Sequence, residues 1–326
     1  MKMFPLFEIT MLSMCSKRTR AWIKAFRIRR NALEIKMELN EEETVYLYNE
    51  SEKEYLRFNI TFPMSQETRE LVKIGDLVCQ MSIEETKEDE YEKYTVYSIN
   101  MCMKDRIEGL KVLSEYLCSV FEIHISDFCI TSHLNPNDQI SIMDWVTKKG
   151  LPRLGICFNK TNITAAERLL SKVNQADDVF ITFRDFKTPD FKTSFKFERH
   201  DITLKQCNWF SLDNLLNINS SKLHVNESKL TNKEMNSFLK HWMSSDLKFG
   251  KVAISMVEEV RIDDLFNEIP FEERTNDVER VFQDFYGPRT ISGGYDIKRN
   301  DGMIATIVDD RLSRKELFVM IVWDKQ

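Results

Sequence analysis

Residues 223–242 read LHVNESKLTNKEMNSFLKHW, and this stretch decides the fold of the second half of the chain. An apolar strand at Leu223–Val225 is followed by Thr231 and Glu234, three residues apart. That spacing predicts a capping box, in which the Thr side chain accepts from the N–H three residues on and the Glu side chain accepts from the Thr N–H. The helix that follows is expected to bury four apolar side chains: Met235, Phe238, Leu239 and Trp242.

The same order of elements occurs once more along the chain. An apolar strand at Leu154–Phe158 precedes Thr164 and Glu167, again three residues apart, and a second capped helix is expected there. Each helix is followed by another strand candidate, at Val179–Phe183 and at Lys251–Ser255. A strand–helix–strand run of this length suits parallel pairing through a right-handed crossover. The pattern predicts a leucine-rich-repeat-like α/β array.

The first half of the chain has a different period. Apolar and polar residues alternate at Leu33–Leu39, and the alternation returns at 45–47 and 56–60, which predicts an antiparallel meander of half-buried strands. Residues 82–93 are mostly acidic and are interpreted as a solvated loop before a strand at Tyr94–Asn100.

Two amphipathic helices are expected in the first half. Residues 107–120 predict one of them, followed directly by a strand at Phe121–Ile125. Residues 9–26 predict the other, as a single helix with basic residues off its apolar face. That apolar face is expected to carry five side chains: Leu12, Cys15, Trp22, Ile23 and Phe26.

These elements predict a mixed α/β (α+β) fold in three parts. Residues 1–30 form a short helical segment, residues 31–150 a β-rich segment with a helix, and residues 151–326 the α/β array. Near the end, Ser292-Gly293-Gly294 and Asp301-Gly302 are both interpreted as turns between strands, so the second half is expected to close with antiparallel strands.

The net charge, the lengths of the apolar runs and the cysteine spacing exclude several classes of function. The 326 residues carry a net charge of -6, which argues against a general nucleic-acid binder. No run reaches the eighteen or more apolar residues of a membrane span, so no membrane partner is expected. The seven cysteines are dispersed without C-x-x-C spacing, which favours reduced, core-packing thiols in the cytoplasm or nucleus.

Catalytic and metal-binding patterns are missing from the sequence. The five histidines show no H-x-x-x-H spacing, and no nucleophile elbow, phosphate loop or dinucleotide fingerprint occurs. Acidic pairs such as Asp263-Asp264 are expected by chance among 52 acidic residues. No catalytic residue, metal or cofactor is therefore predicted. An enzyme on an α/β scaffold, with its site assembled from distant residues, is the remaining alternative of that class.

Several blocks of the second half resemble the F-box-associated domain (type 2) of nematode-type F-box proteins. They occur in the family's order and comprise Asn208–Leu216, Leu230–Trp242, Gly293–Ile307 and Phe318–Trp323. The N-terminus is similar to the two ends of an F-box, an opening Phe4-Pro5-Leu6 and a closing Leu12-Ser13-Met14-Cys15-Ser16-Lys17-Arg18-Thr19. Only eight residues, Phe7 to Met14, separate Leu6 from Cys15, so the F-box looks truncated.

The resemblance implies a non-catalytic substrate-recognition subunit of a cullin–RING (SCF-type) ubiquitin ligase, located in the cytoplasm, the nucleus or both. Its partners would be an SKP-type adaptor, held by the N-terminus, and a protein substrate, held by the C-terminal domain. The residues that would contact the adaptor are Phe4, Pro5, Leu6, Leu12, Met14 and Cys15.

The shortened F-box leaves two explanations open. The gene model skips an exon and the protein carries an intact F-box, or the F-box has decayed. In the second case the chain is a protein-interaction module that no longer binds the adaptor, because one readable helix offers much less apolar contact area than three.

Overall fold

The computed structural model describes residues 4–25, 33–40, 43–49, 51, 53–61, 70–74, 77–88, 94–131, 135–159, 163–184, 195–284, 287–308 and 315–323. The chain forms two compact units, residues 1–155 and 156–326, and passes from one to the other within strand Arg153–Asn159. Both units combine paired strands with α-helices, so the predicted mixed α/β class is confirmed. The finer division at residue 30 stays a prediction.

The strands of the first unit are ordered β7-β1-β2-β3-β6-β5-β4. Strands β1, β2 and β3 pair antiparallel, which confirms the predicted meander, while β7 joins β1 and β6 joins β3 in parallel. The elements of this unit are α1 (Leu6–Cys15), α2 (Lys17–Ala25), β1 (Leu33–Leu39), β2 (Glu43–Asn49), β3 (Glu54–Thr61), β4 (Glu70–Ile74), β5 (Leu77–Glu88), β6 (Thr95–Cys102), α3 (Arg106–Phe121), β7 (Ile125–Thr131) and α4 (Pro136–Thr147).

Helix α3 confirms the prediction for residues 107–120. The Asp105 side chain caps it by accepting from the Glu108 N–H at 2.9 Å. Its buried side chains, including Leu113 and Leu117, pack against β1, β2 and β3, where alternate residues of β1 are buried as the two-residue period requires.

Two local predictions for this unit are wrong. The acidic stretch is not a loop as far as Glu88, because β5 continues through it and pairs with β6. Cross-strand polar bonds such as Asn100 Nδ2 to Glu84 Oε1, at 2.6 Å, let acidic residues occupy strand positions. The strand expected at Phe121–Ile125 is displaced to β7, because α3 runs to Phe121 and Glu122 ends it in the left-handed conformation.

The single helix expected over residues 9–26 is also wrong, since α1 and α2 are separate helices that meet at Ser16. Ser16 and Thr19 bond reciprocally. The Thr19 N–H donates to Ser16 Oγ at 3.0 Å, and the Ser16 N–H donates to Thr19 Oγ1 at 3.2 Å. This cap starts a new helix and leaves Ser16 extended. The predicted common face is therefore broken, and its last member, Phe26, lies outside the described residues.

The second unit is the leucine-rich-repeat-like array with closing antiparallel strands. Its strand order is β13-β14-β15-β16-β12-β11-β10-β9-β8, with β9 to β12 parallel and β12 to β13 antiparallel through β16, β15 and β14. Its elements are β8 (Arg153–Asn159), α5 (Ile163–Leu170), β9 (Asp178–Arg184), β10 (Asp201–Lys205), α6 (Leu212–Leu216), β11 (Lys222–Val225), α7 (Asn232–Ser244), β12 (Lys251–Ser255), α8 (Ile262–Leu265), β13 (Glu272–Asp284), β14 (Gly287–Lys298), β15 (Ile304–Ile307) and β16 (Leu317–Trp323).

Helix α7 begins with the predicted capping box. The Thr231 N–H donates to Glu234 Oε2 at 2.9 Å, and the Glu234 N–H donates to Thr231 Oγ1 at 3.4 Å. The next residue, Asn232, is buried and ties the helix start to the loop after β12. It donates to Glu258 Oε1 at 2.9 Å and accepts from the Arg261 N–H at 2.9 Å. The four predicted core residues are all fully buried: Met235, Phe238, Leu239 and Trp242.

The first capping box is wrong. Helix α5 begins at Ile163, so Thr164 lies within its first turn and is not the N-cap residue. The Thr of the Thr-x-x-Glu pattern is therefore the N-cap residue of α7 but a first-turn residue of α5.

One of the two glycine turns is also corrected. Gly302, with φ of 93°, lies in the predicted turn between β14 and β15. Ser292-Gly293-Gly294 instead lies inside β14. Both glycines have positive φ where the pairing with β13 shifts register, and a Cβ on Gly294 would come within 2.8 Å of Ile307 O. A bulge, rather than a chain reversal, needs the glycines here.

Replacing Thr231 with Ala tests the α7 cap. We expect T231A to lose about 1 kcal/mol of stability, because the first N–H groups of α7 lose a side-chain acceptor. T164A is the matched control and should have little effect, since Thr164 is exposed inside a helix. Urea unfolding of both variants measures the difference, and equal losses would contradict the assigned cap.

Candidate partner-binding surfaces

One face of helix α1 is used inside the first unit. Leu6, Ile9 and Met14 are buried, and α1 contacts β3 and β4. The Leu6 N–H donates to Glu54 Oε2 at 2.8 Å, and Ser13 Oγ lies 2.8 Å from the Tyr116 hydroxyl of α3. These contacts fix the orientation of α1 on its own unit.

Helix α2 is held against α3 by its basic side chains. The Arg20 guanidinium lies 4.5 Å from the centre of the Tyr116 ring, and Lys24 Nζ donates to Ser119 Oγ at 2.7 Å. No residue of α2 is buried, and Trp22 is 55% exposed. An exposed Trp on a short helix is a feature of interfaces rather than of cores.

The six predicted adaptor residues are divided between the two sides of α1. Leu6 and Met14 face the unit's own core, and Pro5 is half-buried. The exposed members are Phe4 at 62%, Leu12 at 42%, and Cys15. Trp22, absent from the predicted set, adds to the exposed apolar surface of these helices. We call Phe4, Leu12 and Trp22 the N-terminal apolar patch.

The second unit has a sheet face that sequence patterns did not mark. In β9 to β12 alternate positions differ in burial. One set, including Ile181, Leu223 and Val252, is fully buried, and the other set is partly exposed except at Thr182 and Ala253, which are buried. The other set is aligned across the strands by register. A central row of that set comprises Phe180, Thr203, His224 and Ala253. We call this side the open face; Phe180 in it is 43% exposed.

The hairpin of β13 and β14 folds back onto one end of the open face. Beyond the glycine bulge, the Arg280 guanidinium lies 5.3 Å from the centre of the Trp323 ring in β16. Nearer the tip, Lys251 of β12 pairs with Asp284 at 2.9 Å and lies 5.2 Å from the Phe282 ring. The hairpin, which we call the arm, therefore reaches across β15 and β16 to β12.

Asp296 anchors the base of the arm. Its carboxylate is 5% exposed and accepts from Thr306 Oγ1 at 2.6 Å, Arg274 Nε at 2.8 Å and Arg280 Nη2 at 2.9 Å. Burial alone would raise the pKa of Asp296, but the hydrogen bonds from Thr306, Arg280 and Arg274 outweigh it and hold the pKa below its ordinary value.

Arg299 joins the array to its closing strands. The side chain is 7% exposed, donates from Nη1 to Leu247 O at 2.6 Å, and forms two bonds to the Asp301 carboxylate, at 3.0 and 2.9 Å. Its guanidinium also lies 5.4 Å from the centre of the Trp242 ring of α7. The letters that carry the resemblance, such as Trp242, Asp296 and Arg299, are thus structural in their contacts.

Other kinds of site find little support in the described ranges. Among those residues no three or more His, Cys, Asp or Glu side chains are grouped so as to hold a metal ion. No helix in the same ranges has the length and apolar character to cross a membrane. All seven cysteines are thiols; Cys79, Cys102 and Cys207 are buried in the core as predicted, whereas Cys15 is exposed.

Residues 190–248 match the model of the F-box associated family, which confirms the resemblance for this span. The span includes β10, α6, β11 and α7, and with them two of the blocks that carry the resemblance. The blocks at 293–307 and 318–323 come after it in the chain. Neither a search of curated proteins nor one of solved structures finds a match.

Truncating Leu6 and Leu12 separates the two sides of α1. We expect L6A to cost about 3 kcal/mol, because a fully buried Leu leaves a cavity, and L12A to cost well under 1 kcal/mol, because Leu12 is 42% exposed. Urea denaturation measures both values. A larger loss for L12A would mean that α1 is rotated relative to the orientation described.

Replacing Asp296 with Asn tests the anchor of the arm. We expect D296N to lose about 2 kcal/mol of stability at pH 7. Hydrogen bonds to a charged group are lost, and Arg274 and Arg280 no longer have the Asp296 carboxylate as a partner. Because folding lowers the pKa of Asp296, its stabilisation is complete above the ordinary Asp value of about 3.9 and falls away as the pH drops through the lowered folded value. The gap between wild type and D296N should therefore shrink below about pH 3.9. Exposed Asp246 supplies the control D246N, for which a similar loss would contradict the network.

Proposed function

We propose that this protein is a non-catalytic substrate-recognition subunit of a cullin–RING ubiquitin ligase. The observation that carries the proposal is the match of residues 190–248 to the F-box associated family. The second unit would bind the protein to be ubiquitinated, and the N-terminal helices would bind an SKP-type adaptor. Such a receptor acts by raising the effective concentration of its target near the ubiquitin-carrying enzyme, so it needs no cofactor or catalytic residue of its own. It would work in the cytoplasm, the nucleus or both.

The N-terminal apolar patch supports the adaptor contact. Phe4, Leu12 and Trp22 are large apolar side chains that are 42–62% exposed, and aromatic and aliphatic side chains of this kind are buried at the centres of protein interfaces. Leu6 and Met14 would support the surface from below, by fixing α1 on β3 and β4, rather than by touching the adaptor.

A second candidate is a protein-interaction module that does not bind the adaptor. It is favoured by the internal use of α1, since the buried half of this helix is no longer available to a partner. Sequencing the transcript between the codons for Leu6 and Leu12 distinguishes the two candidates. An inserted helical segment supports the ligase receptor, and an uninterrupted junction supports the module.

Adaptor capture tests the proposed function directly. We expect the full chain to be recovered with an immobilised SKP-type adaptor, and L12D to reduce recovery at least about tenfold, because a carboxylate buried at an apolar interface costs more than 1.4 kcal/mol. The matched control is V257D, at an exposed apolar residue of the second unit. No recovery of a protein whose transcript is shown to be complete would overturn the adaptor contact.

A further inference from the structure

The geometry points to the open face as the target-binding surface, and to an acidic, extended segment of the target protein as its occupant. We define the occupied region by Arg184 and Lys205, the last residues of β9 and β10, and by Phe180, which lies near the middle of the sheet opposite Thr203. The inference rests on the proposed function, because it names the surface and the partner chemistry of the second unit.

Charge complementarity carries the choice of an acidic partner. The open-face positions of β9 to β12 hold four cations, Arg184, Lys205, Lys222 and Lys251, and two carboxylates, Asp178 and Asp201.

Two of the cations are neutralised within the unit. Lys222 pairs with Asp201 at 3.2 Å, and Lys251 pairs with Asp284 of the arm at 2.9 Å. Arg184 and Lys205 are both exposed, and neither has a carboxylate partner among the described residues.

The two unpaired cations lie close together. Lys205 is in register with Thr182 of β9, two residues before Arg184. Arg184 has the same parity in β9 as Phe180 and Thr182, so the alternation of the strand places it on the same side of the sheet as Lys205. Asp178 lies at the other end of β9, six residues away, or about 20 Å along a strand. Two neighbouring cations therefore stand exposed at the ends of β9 and β10 in a chain whose net charge is -6.

Phe180 supplies the apolar part of the surface. Its ring is 43% exposed and lies 4.9 Å from Lys205 Nζ, so the cation is already oriented over the aromatic face. An aromatic ring next to unpaired cations suits a peptide that alternates acidic and apolar side chains. The arm limits the surface at β12, so an extended segment would lie along β9, β10 and β11.

Selection from a displayed library of random 12-residue peptides tests the inference on the full chain. We expect the recovered peptides to be enriched in Asp and Glu. Labelled copies of them should bind R184E/K205E at least about tenfold more weakly than wild type in a polarisation assay, with affinity falling as salt rises. K233E/K248E is the matched control: both lysines are exposed, the change in net charge is the same, and Lys233 lies on helix α7, away from the open face.

Three results would overturn the inference. They are recovered peptides without acidic enrichment or no recovery at all, equal binding by R184E/K205E and K233E/K248E, and binding of a labelled single-stranded RNA in preference to the peptides. The adaptor takes no part in this assay, so failure of adaptor capture with success here would remove the ligase role and leave the surface in place.

Discussion

Parallel pairing of β9, β10, β11 and β12 is the constraint on which the second unit depends. Neighbouring parallel strands cannot be joined by a hairpin, so the chain must cross over between them, and right-handed crossovers place the connections on one side of the sheet. Helix α6 lies between β10 and β11 in the chain, and α7 between β11 and β12. Side chains of one parity in β9 to β12 are buried, and those of the opposite parity are partly exposed except at Thr182 and Ala253. The open face is thus a consequence of backbone pairing before any of its side chains is considered.

The closing strands convert this array into a surface with a boundary. Strand β16 pairs antiparallel with β12 and ends the series of crossovers. Two buried charged groups then fix the closing strands: Arg299 joins them to the array, and Asp296 joins β13 and β15 at the base of the arm. Arg299 connects the turn after β14 to Leu247 O and the Trp242 ring, and Asp296 holds Arg280 at the base of the arm. Since a buried charge left unpaired costs several kcal/mol, the Arg299 contacts restrict the turn after β14 and the Asp296 contacts restrict the base of the arm.

Sequence patterns predicted those helices and strands whose bounds depend on residues a few positions apart. The box at Thr231 and Glu234 predicted the start of α7, and the alternation at Leu33–Leu39 predicted β1. The same Thr-x-x-Glu letters failed at Thr164, because α5 begins at Ile163, two residues before the start that a cap at Thr164 would give, so this Thr lies in the first turn. Apolar periodicity predicted one helix over residues 9–26, but two hydrogen bonds between Ser16 and Thr19 divide it into α1 and α2. Nothing in the composition of this stretch indicates those bonds.

Surfaces were harder to predict than elements, for a physical reason. Apolar periodicity in α1 shows that one side is buried, but not whether the burial is internal or against a partner, and Leu6 and Met14 proved internal. Arg184 and Lys205 are 21 residues apart in sequence, so only the register of β9 with β10 brings them together.

The net charge of the chain does not predict which ligand binds at the open face, because salt limits charge–charge interactions to short distances. At physiological salt the Debye length is about 8 Å, so a partner bound at Arg184 and Lys205 is influenced little by acidic residues elsewhere on the chain. A nucleic acid, which carries phosphates at regular short spacing, would need cations along its whole path. Toward the amino end of β9 and β10 it would instead meet the two carboxylates Asp178 and Asp201. A short acidic peptide needs only the two unpaired cations and can place an apolar side chain on Phe180. The positions of the charged side chains therefore favour a short acidic peptide over a nucleic acid, a distinction that the net charge of the chain does not make.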